Sequence, residues 1–167
     1  GTTVVSLHGN DNMVKAVYYM TSAATVRCGQ WKFGDSGEIL KGAAAHNFVD
    51  GVCTICGEKN AMGVIYTYDS ASGSYYVEKY TGSAETVTVF GTWDDGTHGE
   101  KPVTYVAFGA FSGNSHHNAA NFINCKKIKK IILPESVTDL GGWVFAECEN
   151  LEYLDARGVK NIMYAIN

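Results

Sequence analysis

Five cysteines and five histidines hold most of the reactive side chains of this 167-residue chain. Three of them crowd into residues 45–60, AHNFVDGVCTICGEKN, as His46-x6-Cys53-x2-Cys56-Gly57. A CxxC turn relieved by a following glycine lets two thiolates converge on one ion, and a histidine with one further cysteine completes a tetrahedral zinc site. Cys28, in VRCGQW, is the cysteine upstream of that turn. The set Cys28, His46, Cys53 and Cys56 would be a closed, structural Cys3His site, stapling a segment too small for a good core. Two other readings stay open on the same residues. Cys53 and Cys56 form a disulfide in an exported protein, or they are unpaired thiols in a β-turn.

Other chemistry is thin. No GKS, GxGxxG or HExxH motif occurs. His98, His116 and His117 could be gathered on a metal, but adjacent histidines point different ways in any regular structure, and a solvated loop is the simpler account. Glu147, Glu149, Glu152 and Asp155 read as a solvated face, since paired catalytic carboxylates need a defined separation. The tyrosines are more suggestive. Tyr66, Tyr68, Tyr75, Tyr76 and Tyr80 lie within fifteen residues. On a strand pair about half of them face outward, and exposed tyrosine suits recognition; the alternative is packing onto the rest of the fold. We take Tyr66, Tyr68, Tyr75 and Tyr76 as the expected binding surface.

Composition bounds what these residues can serve. The chain is 46% hydrophobic and 18% charged, with a net charge of −4. There is no basic footprint for nucleic acid, no polybasic segment for a membrane surface, and no apolar run near the ~20 residues of a spanning helix. Residues 1–10, GTTVVSLHGN, lack the charged start and apolar stretch of a secretory signal, and Gly1 in place of Met is what a trimmed N-terminus leaves.

The elements that must position these groups show an internal repeat. Residues 122–133, FINCKKIKKIIL, align with 145–156, FAECENLEYLDA: Phe122 with Phe145, Cys125 with Cys148, Ile128 with Leu151 and Ile131 with Leu154, all at an offset of 23. Val137-Thr138 precedes Phe145 by eight residues, and Val103-Thr104 precedes Phe111 by the same eight. Val159 opens a third, truncated copy. Phe111 and Phe122 compete for the repeat phenylalanine, with 112–121, SGNSHHNAAN, as an insertion between them. Each copy supplies a short strand, such as residues 130–133, and cannot bury its apolar face alone. Stacked copies pair strands and share one core. On this reading Phe111, Phe122, Cys125, Ile128, Ile131, Val137, Phe145, Cys148, Leu151 and Leu154 are core positions, and the two cysteines pack as small hydrophobes.

The run ILPESVTDLGGWVFAECENLEYLD (132–155) resembles the BspA-type, or Treponema-type, leucine-rich repeat of surface proteins from gut and other host-associated bacteria. Leu133, Pro134, Val137, Thr138, Leu140, Gly141, Phe145, Cys148 and Leu151 match its pattern, with Val144 where the family has Ala. VTYVAFGAFSG (103–113) matches at Val103, Thr104, Val106, Ala110 and Phe111 and departs at Ala107 and Phe108. GVIYTYDSASGSYYVEKYTGSAETVTVFGTW (63–93) resembles the family's opening module, a strand pair turning at Ser72-Gly73 and then a first repeat strand. The element around Cys53 resembles a short H-[NT]-[FY]-x-x-G-x-C-x-x-C-G unit found beside such repeats.

The expected fold is a short leucine-rich-repeat solenoid, mostly β with short helical or irregular connections, over residues 63–167 in about three copies. A small β-rich element fills residues 1–62, with residues 3–7 and 13–20 as two strands around a turn; a helix over 12–20 is the rival. The resemblance implies an extracellular or cell-surface, non-enzymatic module that binds protein or glycan partners in adhesion. The alternative is a structural spacer or assembly domain of a larger surface protein. The one cofactor in question is a structural zinc ion. A cysteine or metal hydrolase would need Cys53, Cys56 or His116 to be reactive.

Overall fold

Short apolar runs bounded by turn residues pair locally in the first part of the chain. In the computed structural model these are β1 (Thr3–Val5) with β2 (Val17–Tyr19), β3 (Trp31–Phe33) with β4 (Ile39–Lys41), and β5 (Phe48–Val49) with β6 (Val52–Cys53), each pair antiparallel. The expected strand pair around the first turn is present, and 17–19 is strand where the rival had helix. The structure describes the backbone of residues 3–5, 17–19, 31–33 and 39–41, and residues 46–116 and 122–163, Phe122 in backbone only. Cys28, His117 and the Phe122 side chain lie outside the described residues. The chain divides into two compact units, Gly1–Asn60 and Ala61–Asn167.

In the second unit β7 (Val64–Asp69) and β8 (Ser74–Tyr80) form an antiparallel hairpin with a bulge between Ile65 and Tyr66. Its turn is longer than the expected two residues. The Asp69 carboxylate accepts the N–H groups of Ala71 and Ser72, and Gly73, at φ +68°, closes a four-residue loop. An aspartate that caps its own turn holds the wider loop better than Ser72-Gly73 alone would.

Beyond the hairpin the pairing becomes parallel, as stacked repeat copies require. The strands are β9 (Thr86–Thr88), β10 (Thr92–Trp93), β11 (Lys101–Val106), β12 (Lys130–Ile132), β13 (Asp139–Leu140), β14 (Tyr153–Asp155) and β15 (Asn161–Ile162). One sheet runs β7-β8-β11-β13-β15, with β10 antiparallel on β11; the other runs β9-β12-β14. Ile131 stands between Val87 and Leu154, and Val106 between Val77 and Leu140. Among the described residues the one helix, α1 (Phe122–Cys125), is a single turn.

These inward rows and the turns below them make the core. Val77, Val103, Val106, Phe111, Cys125, Ile128, Ile131 and Val137 have no exposed surface, and Phe145 is 5% exposed. Cys148, Leu151 and Leu154 pack against them half-buried. The aromatic partner of Phe145 is Phe111, its ring 6.1 Å away and nearly parallel, with Tyr80 on the other side at 5.9 Å. The Phe111 N–H also bonds to the Val144 carbonyl. Phe111 thus stands at a repeat-phenylalanine position, between the rings of Tyr80 and Phe145.

Candidate functional site

The Cys/His segment is built on a tight hairpin. Phe48 pairs with Cys53 and Val49 with Val52, leaving Asp50-Gly51 as a two-residue loop with φ +48° and +77°. Positive φ at both positions is the type I′ turn that Asp-Gly favours. The run FVDGVC carries that turn signal in the sequence. The next turn runs back at once. The Gly57 N–H bonds to the Cys53 carbonyl at 2.8 Å, the Cys53 N–H to the Glu58 carbonyl at 2.8 Å, and Gly57 takes φ +73°.

The two turns bring three donors together. One ligand atom each from His46, Cys53 and Cys56 lie within 4.8 Å of one another. His46 Nδ1 is 3.5 Å from Cys56 Sγ, and its ring stacks on Phe48 with centroids 5.1 Å apart. On the far side of the ring Nε2 lies 3.7 Å from a Glu58 carboxylate oxygen. Cys53 and Cys56 carry thiols, with no disulfide between them. Burial opposes ionisation of Cys53, but the backbone N–H groups of Cys56 and Ile55 and the His46 side chain outweigh it, and the thiol is lowered to about 6. The His46 pKa is raised, chiefly by the Cys53 side chain against partial burial, with Cys56 and Glu58 adding to it.

The tyrosine surface is corrected. The β7–β8 hairpin turns one face to the core, and Tyr75 and Tyr80 on β8 have no exposed surface. The Tyr75 hydroxyl donates to the Gly99 carbonyl and accepts the Asp95 N–H. Tyr66 stacks on Trp93 at 4.5 Å and its hydroxyl accepts the Phe90 N–H; burial pushes its pKa up to about 12. Tyr68 lies edge-on to Tyr75 and under His98, at a ring distance of 4.1 Å. These three tyrosines build the fold. Tyr76 is half-buried, its ring 6.2 Å from that of Tyr105 on β11.

His98 is held by Asp95 at 2.8 Å and covers Tyr68, so it is committed away from a histidine cluster; His116 is exposed. Cys125 is buried, and the Cys148 thiol donates to the Phe111 carbonyl at 2.9 Å. Burial, with Cys125 nearby, pushes the Cys148 pKa up to about 12. Both cysteines are packing residues.

Two aromatic residues that the sequence reading passed over stand at the turns that follow β11 and β13. Phe108 is 52% exposed and Trp143 37%. The turns are neighbours, since the Gly109 N–H bonds to the Gly142 carbonyl at 3.0 Å. Trp143 has φ +57°, and the residue 34 positions earlier is Gly109 at φ +62°. The backbone repeats a left-handed position, filled by glycine in one copy and by tryptophan in the next. A bulky residue at positive φ is a genuine outlier, and such outliers point toward function.

No protein-family model matches the chain, and no curated protein does. Two solved structures are similar to it. Both are leucine-rich-repeat proteins. One, from T. pallidum, is 24% identical, covering 63% of this chain and 42% of its own, with a TM-score of 0.49. The other, from Bacteroides capillosus, is 14% identical, covering 64% of this chain and 97% of its own, with a TM-score of 0.38. The chain therefore spans about two-fifths of the T. pallidum protein. Among the described residues no helix is long and apolar enough to cross a membrane.

Proposed function

We propose that residues 61–167 are a non-enzymatic binding module, a short solenoid of the BspA type, working outside the cell or on its surface in adhesion to protein or glycan partners. The observation that carries this reading is Trp143, a large aromatic kept at the surface on a backbone position suited to glycine. With Phe108, Tyr105 and Tyr76 it supplies the apolar faces that recognition surfaces use, in place of the tyrosines that the core consumes. The sequence resemblance supports the surface location. Screening the chain against extracellular-matrix proteins and mucin-type glycans tests it. We expect at least one ligand, whose binding weakens tenfold or more in W143A and F108A. Silence across both panels, or binding indifferent to both substitutions, overturns it.

The second reading is a spacer or assembly domain, favoured by the exposed Tyr153, Ile162 and Met163 at the last strands of the two sheets. Concentration-dependent self-association in sedimentation, lost on substituting Ile162 and Met163 by Ser, would favour it over the first.

A further inference from the structure

Residues 46–60 hold their shape almost without a core. Among them the buried residues are Gly51 and Cys53, while Val49, Val52 and Ile55 are 55%, 37% and 43% exposed. The aliphatic side chains point to water and a cysteine sits at the centre. A segment with strands two residues long and so little apolar burial needs a staple, usually a disulfide or a metal. The two cysteines nearest each other here carry thiols.

We propose that His46, Cys53 and Cys56 hold one zinc ion, and that Glu58 fixes His46 as its Nδ1 ligand. Zinc takes sulfur at about 2.3 Å and nitrogen at about 2.0–2.1 Å. A tetrahedron with those bonds has S···N edges of roughly 3.5 Å and S···S edges of roughly 3.8 Å. Cys56 Sγ and His46 Nδ1 already stand 3.5 Å apart, and all three donors lie within 4.8 Å. Closing on the ion requires movements below about 1 Å. Thiolate with imidazole is a donor set that selects zinc over hard cations such as calcium or magnesium.

Glu58 supplies the outer partner that zinc-bound histidines use. Such a histidine donates its second ring N–H to a carboxylate or carbonyl, which sets tautomer and ring orientation. Here Nδ1 faces the thiols and Nε2 faces Glu58 at 3.7 Å. The same residue is anchored in the backbone, because its carbonyl accepts the Cys53 N–H. One short turn thereby couples the ligand cysteine to the group that aims the histidine.

The test uses the full chain, purified under reducing conditions without chelator. Elemental mass spectrometry should find about one zinc per chain. After the zinc is removed, added cobalt(II) should give the thiolate-to-cobalt absorption and visible bands of a tetrahedral site. C53S, C56S and H46A should each lose both. E58Q should keep the stoichiometry at saturating zinc while its affinity falls about 10–100-fold. Should the cysteine variants fail to fold, the wild-type titration and E58Q still decide the matter. Uptake below about a tenth of an equivalent by the reduced, folded wild-type chain in excess zinc chloride overturns the site. Unchanged affinity in E58Q overturns the role of Glu58.

Discussion

The left-handed position at Trp143 gives a prediction with a definite sign. Trp143 is 37% exposed, so a little over three-fifths of its surface is buried. Aromatic side chains that are fully buried remove about 150–250 Å² from water. Three-fifths of that, at about 25 cal/mol per Å², makes the ring worth roughly 3 kcal/mol. Both W143A and W143G lose it. They differ in backbone strain. An L-residue at this φ costs about 1–2 kcal/mol, which glycine escapes; glycine's greater freedom in the unfolded chain returns about 0.5–1 kcal/mol. The net is an advantage of roughly 0.5–1 kcal/mol for W143G over W143A. At ordinary strand or helix positions the order is the reverse. Urea unfolding followed by circular dichroism, on the transition of the repeat unit, measures the difference directly; 1 kcal/mol shifts a melting midpoint by about 4–8 °C in a domain of this size. If W143A equals or exceeds W143G in stability, the equivalence of Trp143 with Gly109 carries no strain and the inference to function loses its support.

Three further outcomes follow from the packing. Gly113 lies against the Glu147 carbonyl, and an added Cβ would also meet Lys126 Cγ at 3.0 Å. G113A should therefore destabilise the repeat unit by about 1–3 kcal/mol or more, read from the same urea curves. Cys125 and Cys148 should resist iodoacetamide in the native chain and react once it is unfolded, because one is fully buried and the other has its thiol raised to about 12 by burial; mass spectrometry of the labelled peptides checks this, and fast native labelling would contradict it. Stability should fall as the pH drops below about 4. The Asp95 carboxyl is held well below its usual range by the His98 backbone and side chain and the Thr97 N–H, and Asp69 is lowered by Ser72 and the Ala71 N–H. A depressed folded pKa means the unfolded state binds more protons, so that stability is present above the unfolded value and lost on acidification through the folded one. Thermal melts of the wild type should show this loss, and D95N should flatten it.

What the sequence disclosed and what it withheld divide along a physical line. Val137, Ile131, Leu154 and Cys125 were legible because the core demands the same small apolar residue at each pass of the chain. His46, Cys53 and Cys56 were legible as a cluster because a tight CxxC turn with a histidine shortly before it gathers thiol and imidazole donors. Tyr75 was not. A tyrosine in an alternating strand is equally at home inside or outside, and its hydroxyl was satisfied by Gly99 and Asp95, in a loop twenty or more residues away. Trp143 was not legible either. The repeat pattern leaves that position open, and only the backbone of the neighbouring copy, at Gly109, shows that a tryptophan there is unusual.

The uneven spacing of the copies has one explanation in the two sheets. Phe111 and Phe145 stack at an offset of 34 residues, while strand register and the match of Cys125 to Cys148 run at 23. The eleven extra residues must lie between Phe111 and Cys125. On the first sheet Tyr105 pairs with Asp139 across the same insertion, and Asp139 with Asn161 across none, at offsets of 34 and 22. Val87 and Ile131 are 44 apart and still pair in register. Ladder positions are held by burial on both sides, so they cannot slip without exposing a core residue. Connections carry no such constraint, and doubling a loop costs only about 0.6 kcal/mol. Length variation therefore collects in the turns between ladder positions. Phe108 and Trp143 stand instead on turns that run in step, the Gly109 N–H bonding to the Gly142 carbonyl and the Phe111 N–H to the Val144 carbonyl.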